Sequence, residues 1–236
     1  MEINQQVDYY DKLWAKRKRL NTLKLMRSVK ILSYFITVKR KFKNPKILDL
    51  GCGDGRLTAF LGEFADTDGV ELSKEAIRIA KEKHPHVNFF QGNAMEYDFK
   101  LNHYDLVVSQ EVIEHIEDQE AYIKICYQVL KKGGYLIITT PNKKVFDHLE
   151  GGSWSHQPIE KIMIPRAFKA LVKNNFKIIS YDSIIFNFGL MGYFKIINNR
   201  YIIGATNRLG IKGLREIILS KCGYGLHQCI LAKKVV

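Results

Sequence analysis

Short apolar runs alternate with stretches of helical period along residues 44–186, and the apolar runs end in polar or glycine-rich segments. Ile47-Leu48-Asp49-Leu50 reads as a strand and Gly51-Cys52-Gly53-Asp54-Gly55 as a turn. Leu57, Phe60, Leu61 and Phe64 then mark one face of a helix. The pattern repeats, with strands predicted over 68–72, 87–91 and 104–109 and a helix over 74–83. A fifth strand ends at Pro141-Asn142, a sixth covers 176–181 and a seventh 228–233. Alternation of this kind predicts a doubly wound, mostly parallel α/β sheet.

Two segments fall outside the alternation. From Asn21 the residues Leu25, Val29, Leu32 and Ile36, with Met26 and Phe35 beside them, recur at helical spacing among lysines and arginines. That stripe predicts either a helix packed on the sheet edge with a solvated basic face or a surface-binding amphipathic helix. Between the sixth and seventh strands lie some forty residues that mix Phe194, Ile196, Ile197, Tyr201 and Ile202 with Lys195 and Arg200. No uninterrupted apolar run reaches spanning length, which argues against a transmembrane helix. The expected division is a basic N-terminal helical segment over 1–43, a core over 44–186, a helical insertion over 187–224 and the last core strand over 225–236.

Composition changes this picture mainly through charge. The 236 residues, 46% hydrophobic, suffice for one sizeable α/β core with appendages. Residues 1–46 carry thirteen Lys and Arg against three acids, and 184–224 six against one, whereas 47–183 carry sixteen against twenty. The net charge of +13 therefore belongs to the appendages, and a basic surface suits either nucleic acid or an anionic membrane face. Four cysteines without a CxxC pair, and no secretory leader, predict reduced intracellular thiols and no zinc cluster. A cytoplasmic protein, peripheral at a membrane if its appendages bind lipid, is expected.

The candidate chemistry begins at the glycine turn. Dinucleotide folds use G-x-G-x-x-G, but here the third glycine comes one residue early, at Gly55, which argues against a pyrophosphate cradle. Glu71 closes the second strand about twenty residues beyond the turn, a position suited to a ribose diol. Asn93, after the third strand, is placed to hydrogen-bond an adenine edge, and the fourth strand runs into Gln110-Glu111-Val112-Ile113-Glu114-His115. Three successive strand ends thus offer polar groups suited to one nucleoside.

The segments ILDLGCGDGRL (47–57), GVELSKEAI (69–77), GNAMEYDF (92–99), YDLVVSQEVIEHIED (104–118) and LKKGGYLIITTPN (130–142) stand in an order and spacing similar to the class I S-adenosylmethionine-dependent methyltransferases. The resemblance implies a seven-stranded Rossmann-like sheet with an antiparallel last strand and S-adenosylmethionine as cofactor. It places Gly51 and Gly53 at the methionine moiety, Asp49 at its amino group, Glu71 at the ribose hydroxyls and Asn93-Ala94 at the adenine. Cys52, Leu72 and Gln110 flank these positions and complete the expected cofactor contacts. The family usually has Asp where Asn93 stands, and either can accept the adenine amino group. N-terminal helices in many such enzymes cover the cofactor, so Tyr9, Tyr10 and Trp14 are expected in a lid.

Glu111, Glu114 and His115, at i, i+3 and i+4, share one face if they lie on a helix. Two carboxylates and an imidazole suit a divalent cation such as magnesium, with His156 as a fourth ligand. Such an ion would lower the pKa of a substrate hydroxyl. Without a metal, His115 is the expected general base, with Glu111 near the cofactor and His156 as the alternative base. His84, His86, His103, His148 and His227 are expected at surface or structural positions. The E-x-x-E-H spacing resembles two metal-assisted branches, one acting on catechol-like hydroxyls in ubiquinone synthesis and one on the 2′-hydroxyl of small-RNA ends. The expected function is O-methylation of a small-molecule or lipid-linked hydroxyl, with peripheral membrane contact. The alternatives are an RNA 2′-O-methyltransferase and a non-catalytic cofactor-binding subunit.

Overall fold

The structure, a computed structural model, describes residues 3–16, 22–149, 159–186 and 194–235. Two helices, α1 (Ile3–Lys16) and α2 (Thr22–Lys39), precede strand β1 (Lys46–Leu50). Alternation then follows through α3 (Arg56–Gly62), β2 (Asp66–Glu71), α4 (Lys74–Lys83), β3 (Asn88–Gln91) and β4 (Tyr104–Gln110). A 3-10 turn at Ile113–His115 leads to α5 (Gln119–Val129), the long β5 (Leu130–Pro141), the short α6 (Lys143–Phe146) and α7 (Pro165–Lys173). Beyond β6 (Lys177–Ile184) come α8 (Phe194–Ile197), α9 (Arg200–Arg208), α10 (Lys212–Lys221) and β7 (His227–Lys233).

All seven strands form one sheet in the order β3-β2-β1-β4-β5-β7-β6. Pairing is parallel from β3 to β5, and β7 runs antiparallel to both β5 and β6. This is the doubly wound, mostly parallel architecture with an antiparallel last strand that the motif order predicts. Strand order reverses where β1 meets β4, which opens a crevice at the carboxyl ends of these strands.

Side chains of period two feed both faces of the sheet. Ile47, Leu106, Val108, Ile137 and Leu231 pack with Ile31, Tyr34, Phe35 and Val38 of α2. Leu48, Leu50, Val107, Leu136, Ile138 and Ile230 pack on the other face with Tyr122, Ile123, Phe168 and Val172 of α5 and α7. Because helices cover both faces, the strands read as nearly continuous apolar runs. Each such side chain, once buried, stabilises the fold by roughly 1.5–3 kcal/mol.

The sixth strand and the buried face of α2 differ from what the sequence pattern predicts. The sixth strand reaches Ile184 rather than residue 181, since β7 supplies ladder partners as far as His227. On α2 the buried face is Ile31, Tyr34, Phe35 and Val38, while Leu25, Met26, Val29 and Ile36 are 44–58% exposed. Both stripes have helical spacing, and Asp182 on β6 helps select the one with the larger rings. Its Oδ2 accepts the Tyr34 hydroxyl at 2.5 Å and pairs with Lys30 Nζ at 2.7 Å. From the other side Lys221 Nζ approaches Oδ1 to 2.7 Å and the Ser220 hydroxyl donates to it at 3.2 Å. Burial alone would raise the Asp182 pKa, but Lys221, Lys30 and Tyr34 outweigh it and hold the carboxyl well below the usual range. One carboxylate therefore clasps both basic appendages, through α2 and α10, onto β6.

Candidate active site

A cavity of about 340 Å³ lies over the carboxyl ends of β1, β2 and β4, roofed by α1 and α2. The glycine turn forms its floor. Gly51 has φ 83° and Gly53 φ 55°, values that disfavour any residue with a Cβ. A Cβ on Gly51 would stand 2.2 Å from Val112 Cγ2, and one on Gly53 would stand 2.6 Å from the Trp14 ring. The indole of α1 therefore rests directly on the turn.

Glu71 ties the turn to the second strand. Its Oε2 accepts the Gly53 N–H and its Oε1 the Ser73 N–H, each at 3.0 Å. Burial raises its pKa, and these backbone donors oppose the rise. Asp49 is 1% exposed and accepts the Thr58 hydroxyl at 2.7 Å. Burial pushes it up to about 6, against the Thr58 bond and the charge of Lys24. Cys52, Leu72, Asn93, Ala94 and Gln110 also line the cavity, so all nine predicted cofactor positions meet at one site. The Asn93 Oδ1 accepts the Met95 N–H at 3.1 Å, while Gln110 Nε2 is buried without a hydrogen-bond partner among the described residues.

Across the cavity the arrangement departs from the sequence reading. Glu111 does not begin a helix; it has φ 58°, and only Ile113–His115 coil, as a 3-10 turn. Glu111, Glu114 and His115 therefore do not share a helical face, and their functional groups turn to different partners. Glu111 Oε1 accepts the Thr139 hydroxyl at 2.8 Å, and its Oε2 stands 2.7 Å from His227 Nδ1 and 3.7 Å from Arg27 Nη1. Glu114, 2% exposed, accepts the hydroxyl of the next residue, Thr140, at 2.9 Å. Burial alone would raise Glu111, but His227 and Arg27 hold it low; burial and then the Glu111 charge drive Glu114 well up. Their surroundings therefore push the pKa values of the two acids in opposite directions.

The expected metal set is accordingly not assembled here. Glu111 is committed to a guanidinium and an imidazole, and no group of three or more His, Cys, Asp or Glu among the described residues is arranged to hold a metal ion. His156 lies outside the described residues. His227, expected at a structural position, instead lines the cavity. Its placement follows from the antiparallel last strand, because β7 begins beside Pro141 where the parallel strands end. Arg27 Nη1, a donor only, lies 3.2 Å from His227 Nε2, so the ring proton sits on Nδ1 facing Glu111.

His115 has the opposite polarity. Its Nδ1 lies 2.8 Å from the Ile159 carbonyl, which can only accept, so Nδ1 carries the proton and Nε2 keeps a free lone pair. Nε2 is 3.7 Å from Glu114 Oε1. Burial pulls the His115 pKa below the ordinary range, against the pull of the Ile159 carbonyl on the charged form. The Tyr10 ring meets the imidazole edge-on at 6.2 Å, and burial raises its phenol pKa.

A glycine turn and a second-strand acid sharing one crevice define a nucleoside-binding α/β protein. Comparison with known sequences sharpens that class. The family described as a methyltransferase domain matches residues 14–181, and the chain belongs to it, as a class I S-adenosylmethionine-dependent methyltransferase. It is 40% identical over 124 residues to the mitochondrial ubiquinone biosynthesis O-methyltransferase of Rattus norvegicus, covering 48% of this chain and 35% of that protein. The ubiquinone biosynthesis O-methyltransferase of Escherichia fergusonii is 32% identical over 115 residues, covering 46% and 45%. The chain thus spans less than half the length of either relative in its matched region. In fold it resembles the N-methyltransferase NodS from Bradyrhizobium japonicum, solved with S-adenosyl-L-homocysteine, at TM-score 0.67 over 97% of this chain and 98% of that one, with 12% identity.

Proposed function

We propose that this chain methylates a hydroxyl oxygen of a small or lipid-linked acceptor, with His115 as the general base. The observation that carries the reading is the His115 tautomer, in which the Ile159 carbonyl holds the proton on Nδ1 and leaves Nε2 free to accept one. Similarity to ubiquinone biosynthesis O-methyltransferases supports oxygen as the nucleophile.

The lining fits a cationic nucleoside. Asp49 and Glu71 are buried acids whose pKa values burial raises, so a positive ligand charge would relieve both. Each Glu71 oxygen retains a lone pair after accepting one backbone N–H, as a ribose diol requires. Asp49 would hold the amino group, with Gly51, Cys52 and Gly53 at the methionine moiety. Leu72, Asn93 and Ala94 would flank the base, and Gln110 offers its unpaired amide. When bound, S-adenosylmethionine supplies an activated methyl group from its sulfonium. His115 Nε2 takes the acceptor proton, and the low pKa of the ring keeps that lone pair available at neutral pH. Tyr10 and Trp14 on α1 exclude water above the site. Glu111, fixed by His227, Arg27 and Thr139, orients the segment that carries His115.

His115→Ala should lower kcat by about 10²–10⁴-fold and leave cofactor affinity nearly unchanged. The check is turnover of a panel of hydroxylated acceptors beside calorimetry with S-adenosylhomocysteine. For the unsubstituted chain, activity should fall on the acid side as His115 protonates, with the limb centred below the ordinary histidine value of 6.5. Full turnover by the alanine variant would refute the base assignment.

A further inference from the structure

We propose that α9, α10 and the groove beside them form a docking face for an anionic phospholipid bilayer. Ile196, Tyr201, Leu209, Leu214, Ile217 and Ile218 are each more than half exposed, Leu209 to 70%. Leu209 follows the end of α9 and the other five lie on short helices, none of which is long and apolar enough to cross a membrane. Around them residues 194–224 carry six Lys and Arg against the single acid Glu216. An apolar surface ringed by cations matches an interface of acyl chains beneath phosphates.

The groove continues this face at Cys222, which follows the last turn of α10 and lines a depression of about 620 Å³. Lys144, Arg166, Lys169 and Lys173 line it too, with no Asp or Glu beside them. None of the four has a carboxylate partner among the described residues. Lys144 instead donates to the Cys222 carbonyl at 3.3 Å and lies over the Tyr224 ring, and Lys169 lies over Tyr181. The first turn of α7, uncapped by any side chain, also opens there. Four cations, uncancelled in a concavity beside exposed aliphatic side chains, suit headgroup phosphates next to inserted residues.

Competing occupants fit less well. Tyr201 is the one ring among the six exposed side chains, so the face lacks the stacking platform that single-stranded nucleic acid uses. A second copy would bring the same cations against themselves. The inference does not depend on the methyl-transfer assignment.

The test is co-sedimentation of the full chain with phosphatidylcholine vesicles, with and without phosphatidylglycerol. Binding should require the anionic lipid and weaken with salt. Leu214→Glu with Ile217→Glu, and separately Arg166→Glu with Lys169→Glu, should each weaken it by about tenfold or more, since each charge near the surface contributes substantially. Circular dichroism and Tm should match the parent, because all four positions lie on the surface or in the open groove. No vesicle binding, or binding that neither variant changes, overturns the proposal. So does RNA binding that Arg166→Glu with Lys169→Glu abolishes while vesicles fail to bind. A dimer in sedimentation velocity that Leu214→Glu with Ile217→Glu dissociates, again without vesicle binding, would assign the face to a second copy instead.

Discussion

Glu111 and Glu114 are three residues apart, yet their surroundings shift their pKa values in opposite directions. Glu114→Gln should therefore cost the less of the two, because burial and the Glu111 charge both favour the uncharged form that the amide resembles. Glu111→Gln should cost about 3–5 kcal/mol, since it leaves the largely buried Arg27 guanidinium without its counter-charge and removes the carboxylate that faces His227 Nδ1. Urea unfolding of both variants decides the matter, and the reverse order would contradict the assignment. Asp49 makes a further prediction. Its folded pKa of about 6 exceeds the ordinary 3.8, so the native state binds the extra proton between these values. Without cofactor, stability should fall as pH rises through that window, by roughly 3 kcal/mol. A cationic ligand favours the ionised form, so binding near pH 5–6 should release a proton, detectable by calorimetry in buffers of different ionisation enthalpy. These acids are visible in the sequence; their roles are not. Nothing in the order Glu-Val-Ile-Glu-His announces that Glu111 takes φ 58° and parts company with the next turn.

Asp11 ties helix α1 to the start of α4. The Asp11 carboxylate accepts from the Ser73 hydroxyl and, at 3.1 Å, from the Glu75 N–H, and so helps to cap α4 from outside. Asp11→Ala should loosen the lid and weaken cofactor binding about fivefold, the equivalent of ~1 kcal/mol for a lost cap. It should also expose Trp14 to acrylamide quenching, read in a Trp154→Phe background; unaltered quenching would place the anchor elsewhere. Strands, the glycine turn and the residues lining the cavity were legible because backbone conformation and period two constrain them locally. The face of α2 was not, since two stripes share one period and only the sheet, through Asp182, distinguishes them. His227 escaped notice for a similar reason. Its role depends on which end of an antiparallel strand meets the crevice, a property of topology rather than of neighbouring residues.

Asp182 joins α2 and α10, which are about 190 residues apart in sequence, to one sheet edge. Asp182→Asn should lower global stability by about 2 kcal/mol, as expected for weakened charge-assisted bonds. Amide exchange in α10 should rise more than in β4, and equal effects on both would deny the clasp. Because its folded pKa is depressed, its stabilisation is present above the ordinary carboxyl range and disappears as pH falls below about 3.8. The sheet order has a kinetic consequence of its own. Strand β7 lies between β5 and β6, so each of those strands presents an unpaired edge until residues 227–233 insert between them. That insertion closes the sheet by contacts remote in sequence, and it delivers His227 to Glu111 in the same event. Partly folded chains are therefore both prone to aggregate and unable to complete the cavity lining, so the Glu111–His227 contact is a late reporter of correct folding.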